Sequence, residues 1–223
     1  MQTPTTAVTP RWPVVIFDLD GTLVNSIDLI VTSYQYALRT VVGREWDEAE
    51  IRTWIGQSLR GSMERACPEH AEELLRVYSE HNHALTPTML TGYPGILDLV
   101  RSLTSAGVRL GSATSKRAEP AQWALDLTHL SGLMPIIVSH DDVREHKPNP
   151  EPLLLAAARL NCEVGEAVYI GDAVVDIVAA HNAGMDCVGV TWGAGVREEL
   201  VAAGPTLLVD TVDELGAALL GHA

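Results

Sequence analysis

Two aspartates, Asp18 and Asp20, stand two residues apart in Phe17-Asp18-Leu19-Asp20-Gly21-Thr22-Leu23, directly after a short apolar run at 14–17. Paired carboxylates suit nucleophilic attack and acid–base work on one substrate. If the run is a strand, its end is where open α/β sheets bind ligands, and Gly21 lets the chain turn sharply away. An ordinary strand-end turn uses the same residue types. The rest of the chain has to decide between the two.

Three further segments carry chemistry-bearing side chains. Ala113-Thr114-Ser115-Lys116 offers Thr114 and Ser115 hydroxyls that could bind a phosphate oxygen or cap a following helix. His146-Lys147-Pro148-Asn149-Pro150-Glu151-Pro152 holds the point cation Lys147 beside a turn stiffened by proline. Tyr169-Ile170-Gly171-Asp172-Ala173-Val174-Val175-Asp176 places Asp172 and Asp176 four apart, where they share a face if the turn is helical. Taken singly, the lysine could be solvated and the acids could complement a helix dipole.

The elements that would position these segments are legible as apolar runs at 14–17, 108–110, 136–138, 168–170, 187–190 and 207–209. Such runs suit strands buried on both faces. Helical patterns fall between most of them, at 96–104, 120–127, 152–160, 176–183 and 212–220. Alternation of this kind predicts an α/β fold built on a doubly wound parallel sheet. All four chemical segments then lie at carboxyl ends of strands, and the fold converges them. Four carboxylates brought together repel unless a cation intervenes or some are protonated. A hard divalent ion with oxygen ligands resolves the conflict, and Mg²⁺ fits best.

Residues 24–90 break the alternation. Ile27, Ile30, Val31, Tyr34, Ala37, Leu38 and Val41 recur at helical spacing, as do Ala71, Leu74, Leu75 and Tyr78. The expected organisation is a core formed by 1–23 and 91–223, with 1–12 as a loose tail and 24–90 as an inserted helical domain. The net charge of −14 disfavours nucleic acid and anionic membranes as partners. It also requires any phosphate site to be locally positive, which Lys147 and a metal ion would achieve. Cys67, Cys162 and Cys187 are scattered without a CxxC pair, which suits reduced thiols in a cytoplasmic protein. No apolar stretch approaches the roughly 20 residues of a membrane span. His81 and His83 flank a single residue on a helical pattern and point apart, which reads as surface rather than metal binding.

The four segments, in this order and spacing, resemble the haloacid dehalogenase superfamily in its phosphatase branch, with a helical cap inserted after the first motif. The resemblance covers nearly the whole chain, through FDLDGTLVNS, ATSK, HKPNPEP and GDAVVD. The cap segment Trp54-Ile55-Gly56-Gln57-Ser58-Leu59-Arg60 looks like that of phosphoglycolate-phosphatase-like members. Asn25, Ser115 and Ala173 depart from the residues usual at their positions.

The resemblance implies a Rossmann-like core and a Mg²⁺-dependent phosphatase acting on a small phosphorylated metabolite, with a phosphoglycolate-type monoester favoured. It implies that Asp18 attacks phosphorus to form an aspartyl-phosphate, and that Asp20 protonates the leaving oxygen and then activates water. Thr114, Ser115 and Lys147 would hold phosphoryl oxygens. Asp18, the Asp20 backbone carbonyl and Asp172 would ligate Mg²⁺ with support from Asp176. Arg60 is a candidate substrate contact from the cap. A phosphomutase on a sugar phosphate, or a pyrophosphatase of the same fold, are the alternatives.

Overall fold

The computed structural model describes residues 10–221. In chain order its elements are β1 (Val14–Phe17), β2 (Val24–Asn25), α1 (Ile27–Val42), α2 (Glu48–Arg52), α3 (Leu59–Ala66), α4 (Ala71–Met89), β3 (Thr91–Gly92), α5 (Ile96–Ser105), β4 (Arg109–Ala113), α6 (Ala118–Leu127), β5 (Ile136–Val138), α7 (Glu151–Arg159), β6 (Ala167–Gly171), α8 (Val174–Ala183), β7 (Asp186–Val190), α9 (Arg197–Ala203), β8 (Leu207–Val209) and α10 (Val212–Leu220).

Six strands form one sheet in the order β5-β4-β1-β6-β7-β8, and every neighbouring pair is parallel. This is the doubly wound α/β architecture expected from the alternation of runs. Successive strand residues face opposite sides, and β1 shows the consequence. Val15 and Phe17 join a hydrophobic cluster with Leu99, Leu103, Leu125 and Leu215. Val14 and Ile16 join another with Leu153, Ala156, Ile177 and Ala180. A strand covered on both faces has no room for alternating polar residues, which is why these segments read as continuous apolar runs.

The chain passes from β1 to β4 and β5 on one side, then returns through β6 to the other side of β1. The order therefore reverses between β1 and β6, and ligands of open α/β sheets bind outside the strand ends at such a point.

Helices α1 to α4 have a hydrophobic cluster of their own. Ile27, Ile30, Val31, Tyr34, Ala37 and Leu38 of α1 meet Leu74, Val77 and Tyr78 of α4, with Ile51, Ile55 and Met63 filling between. Gly43, with φ +75°, ends α1 in the left-handed conformation. One residue of the segment after β7, Ala194, also belongs to this cluster. Short strands β2 and β3 pair antiparallel where the chain leaves the sheet for these helices and where it returns.

Residues 1–9 of the expected tail lie outside the described residues. The end of that tail is not loose: Arg11 N–H donates to the Leu219 carbonyl at 3.0 Å. Trp12 is buried in the main cluster and donates its indole N–H to Asp186 Oδ2 at 2.8 Å. An indole is large and apolar enough to be drawn into the core, with its N–H satisfied at the edge. Among the described residues, no helix is long and apolar enough to cross a membrane.

Candidate active site

Asp18 follows the last residue of β1, and its N–H donates to Ile170 of β6 at 2.8 Å, which fixes it at the reversal point. Asp172 follows the last residue of β6. Lys147 reaches the same place from the loop before α7. Its ammonium donates to Asp18 Oδ1 at 3.0 Å, to Asp176 Oδ1 at 2.6 Å and to the Tyr169 hydroxyl at 3.1 Å. Those three contacts use all three N–H donors of the lysine.

Each carboxylate is held by further donors. Asp176 Oδ2 accepts the Ala173 N–H at 3.0 Å at the start of α8. Asp172 accepts the Thr22 hydroxyl at 2.9 Å and the Ala194 N–H at 2.7 Å. Ala194 thus touches Asp172 through its backbone and the helical cluster through its methyl. Asp18, Asp172 and Asp176 are buried, and each presents an oxygen within 4.8 Å of the others.

Two glycines make this crowding possible. Gly21 has φ +80°, and a Cβ there would lie 2.2 Å from Asp172 Oδ2. A Cβ at Gly193 would lie 2.1 Å from the same atom. The backbone on both sides of Asp172 is closed up to a distance only glycine allows.

Burial dominates the electrostatics. It pushes the Asp18 carboxyl up to about 7, against the pull of Lys147 and with Asp176 and Asp20 raising it further. Burial also holds Asp172 well above the usual carboxylate range, reinforced by Asp176 and Asp18. Burial alone would lower Lys147, but Asp176 and Asp18 outweigh it and keep the ammonium protonated. A free aspartate is ionised at neutral pH; Asp18 in this setting is not fully so without an added cation. Three buried oxygen ligands in a cradle too tight for a side chain fit a hard divalent ion.

Asp20 lies at the rim. Its carboxylate accepts the Ser26 hydroxyl at 2.7 Å, and both its oxygens take the Lys116 ammonium at 2.9 Å. Thr114 is buried, and its Oγ1 accepts the Lys116 N–H at 3.1 Å. Ser115 is engaged elsewhere than expected: its hydroxyl donates to the Gly56 carbonyl of the helical insertion at 2.7 Å. Gly56 is pressed against the core, where a Cβ would meet Val175 and Ala173 at 3.0 and 3.2 Å. Arg60 is not brought to the carboxylates. Its guanidinium binds Glu72 and lies 3.5 Å from Glu64, all on the exposed surface of the helices. His81 stacks on Tyr36 and His83 leans on Trp123, so the two rings do diverge.

Sequence reasoning missed Tyr169, Lys116, Ser26 and Thr22. Tyr169 left a usable signal. A tyrosine inside a strand buried on both faces needs a partner for its hydroxyl, and here it accepts from Lys147 and donates to the Ala113 carbonyl at 2.8 Å.

Comparison with known proteins agrees with this geometry. The family model of haloacid dehalogenase-like hydrolases matches residues 15–190. Pyrophosphatase PpaX of Anoxybacillus flavithermus is 32% identical over 201 residues, covering 90% of this chain and 94% of that protein. Pyrophosphatase PpaX of Bacillus pumilus is 33% identical over 201 residues, covering 90% and 93%. Among solved structures, a hydrolase from Pseudomonas syringae superposes with a TM-score of 0.85 at 29% identity, covering 94% of this chain and 99% of the other. A predicted phosphoglycolate phosphatase from Haemophilus somnus 129pt gives 0.80 at 25% identity, covering 92% and 96%. The matched span includes all four chemical segments together with every strand of the sheet except β8, and the chain belongs to the haloacid dehalogenase-like hydrolases.

Proposed function

We propose that this protein is a Mg²⁺-dependent phosphatase that hydrolyses a small phosphorylated metabolite through an aspartyl-phosphate on Asp18. The observation that carries the reading is the meeting of Asp18 with Lys147 at 3.0 Å beside Asp172 and Asp176, at the reversal point of the sheet. A carboxylate with a buried cation against it and a metal-ligating pair behind it suits attack on phosphorus.

In the first step an Asp18 oxygen attacks phosphorus, the bond from phosphorus to the leaving oxygen breaks, and Asp20 gives that oxygen a proton. In the second, water attacks the same phosphorus and passes its proton to Asp20. The bond between phosphorus and Asp18 breaks and the carboxylate returns. Lys147 and Thr114 hold phosphoryl oxygens and offset the charge that develops on them. Asp18, the Asp20 backbone carbonyl and Asp172 would hold Mg²⁺, with Asp176 in support. Once bound, the ion supplies positive charge that keeps Asp18 ionised and draws the phosphate in. The helical insertion is pressed on the core at Gly56, and there it would enclose the site and favour small substrates over macromolecules.

A phosphoglycolate-type monoester is the favoured substrate. Pyrophosphate is the second reading, and the likeness to PpaX pyrophosphatases along 90% of the chain favours it. The test is phosphate release from phosphoglycolate, pyrophosphate, sugar phosphates and p-nitrophenyl phosphate, with and without Mg²⁺. Release that needs Mg²⁺ and vanishes in Asp18→Asn supports the reading; release that persists in Asp18→Asn, or none from any compound, defeats it.

A further inference from the structure

Lysine is scarce in this chain: of its 15 lysines and arginines, only Lys116 and Lys147 are lysines. Both lie in the site, and each takes one of the two aspartates that follow β1. Lys147 is sealed in, with a side chain 1% exposed and every N–H committed. Lys116 is 13% exposed, and its ammonium rests on the two oxygens of Asp20. An ammonium has three donors, and among the described residues the third finds no protein acceptor.

The backbone around Lys116 is fixed. Its N–H donates to Thr114 Oγ1 at 3.1 Å, and its carbonyl accepts the His140 N–H at 3.0 Å. The preceding residue, Ser115, binds Gly56 of the helical insertion. The ammonium therefore stands at the seam between sheet and helices, and among the described residues Asp20 is its only carboxylate partner. Arg60, the insertion's own candidate, is occupied by Glu72.

This inference rests on the phosphatase reading. There Asp20 serves the leaving oxygen, so that oxygen lies against Asp20 and the atoms beyond it lie toward Lys116. Lys147 attends to the phosphoryl group; a cation on the leaving side acts on the leaving group. We infer that Lys116 is a specificity-determining residue that recognises an anionic group one or two bonds beyond the scissile oxygen. The substrate class is then a phosphoryl compound whose leaving group carries its own negative charge, as a carboxylate or a second phosphate. Such a group takes N–H donors from Asp20, and the freed carboxyl can then carry the proton that it gives to the leaving oxygen. A neutral leaving group leaves Asp20 clamped. Remote binding energy is thereby used to complete the reacting arrangement.

The test pairs 2-phosphoglycolate with 2-hydroxyethyl phosphate, which keeps the two-carbon ester and replaces the carboxylate by a hydroxymethyl group. Wild-type protein is expected to favour phosphoglycolate in kcat/KM. Lys116→Met should lower that preference by about 10- to 100-fold, the range of a hydrogen bond to a charged group. Lys116→Arg should restore part of it. No preference in the wild type, or a preference that survives Lys116→Met while both rates fall together, overturns the inference. A second measurement avoids both turnover and the Lys116 variants. In Asp18→Asn protein, acetylation of Lys116 by acetic anhydride, read by mass spectrometry, should slow with phosphoglycolate and not with 2-hydroxyethyl phosphate, with buried Lys147 as the internal control. Equal labelling in both overturns the inference. If wild-type protein releases phosphate from none of the compounds, sugar phosphates and p-nitrophenyl phosphate included, the phosphatase reading fails and this inference with it; release from those alone overturns only this inference. If it hydrolyses both esters without regard to charge, this inference fails alone.

Discussion

Asp18 and Lys147, 129 positions apart in the chain, meet at 3.0 Å with both side chains almost completely buried. Removing one partner of a buried pair leaves the other's charge uncompensated and costs about 3–5 kcal/mol. Lys147→Met leaves Asp18 and Asp176 facing each other, so it should lower the unfolding free energy by an amount in that range, read from urea titration. Asp18→Asn keeps shape and a hydrogen-bond acceptor, and Lys147 retains Asp176. It should keep the fold while phosphate release drops by roughly 10³-fold or more. Urea titration and a phosphate assay on the two variants check the contrast.

Asp172 and Asp176 should respond differently to metal. Asp176 is tied to Lys147 and to the Ala173 N–H, so Asp176→Ala disturbs the cation as well as the acidic cluster. Among the described residues, Asp172 has no cationic side chain on it. Asp172→Ala should therefore raise the Mg²⁺ concentration needed for half-maximal activity, with part of the lost rate recovered at high Mg²⁺. The Asp176→Ala loss should persist at saturating Mg²⁺. Chelation by EDTA should abolish wild-type activity, and excess Mg²⁺ should restore it. Full activity after chelation would remove the metal from the mechanism.

The raised Asp18 and Asp172 predict how stability and metal binding vary with pH. Folded Asp18 titrates near 7 against 3.8 for the ordinary group, because it is buried. The folded protein thus holds protons that the unfolded chain has released. That favours folding below the unfolded value, and the contribution disappears as pH rises through about 7. Asp172 adds in the same direction. In the proposed reading Mg²⁺ needs the ionised carboxylates and would stabilise by binding the folded state. The rise in Tm on adding Mg²⁺ should therefore be larger at pH 8 than at pH 5. Thermal melts at both pH values, with Asp172→Asn as the comparison, check this; equal increments would contradict it.

Ser112 offers a stability test outside the chemistry. It is fully buried on β4, and its hydroxyl alone, among buried side-chain polar atoms of the described residues, has no hydrogen-bond partner. A buried polar group without a partner costs about 1–3 kcal/mol. Ser112→Ala should leave the protein equally stable or raise its stability by about 1 kcal/mol, read as a shift in urea midpoint. A loss of stability would mean that the hydroxyl has a partner, such as water.

Arg60→Ala should leave kcat/KM little changed for phosphoglycolate and p-nitrophenyl phosphate alike, because the side chain faces Glu72 and Glu64 on the surface. A loss confined to phosphoglycolate would return Arg60 to the site.

Reading the chain from its residues succeeded where one physical signal dominates. Strands covered on both faces read as apolar runs, and all six strands of the sheet were legible that way. The reading of β4 stopped at Leu110, whereas the strand continues through Gly111, Ser112 and Ala113. Gly111 resembles a breaker in sequence, but here a Cβ would meet Ile137 at 2.4 Å, so its smallness serves sheet packing. Strands β2 and β3 have two residues each and exist only because they pair across the insertion, which no local pattern reveals. Convergence of Asp18 and Asp172 followed from strand ends, whereas Asp176 comes from the first turn of α8 and Lys147 from the long loop between β5 and α7. The Lys116–Asp20 contact did not, because it depends on side-chain directions from two separate loops.

The pairing of Val24 with Gly92 and of Asn25 with Thr91 has a consequence for how this architecture can be rebuilt. Antiparallel neighbours lie about 5 Å apart at their Cα atoms. The chain therefore departs from the sheet and rejoins it at almost one point, and everything between is a single graftable module. A foreign segment with similarly spaced ends, spliced in between Asn25 and Thr91, would leave the sheet's connectivity, strand order and reversal point unaltered. Exchange at these two seams would move the helical insertion from one core to another without redesigning the core.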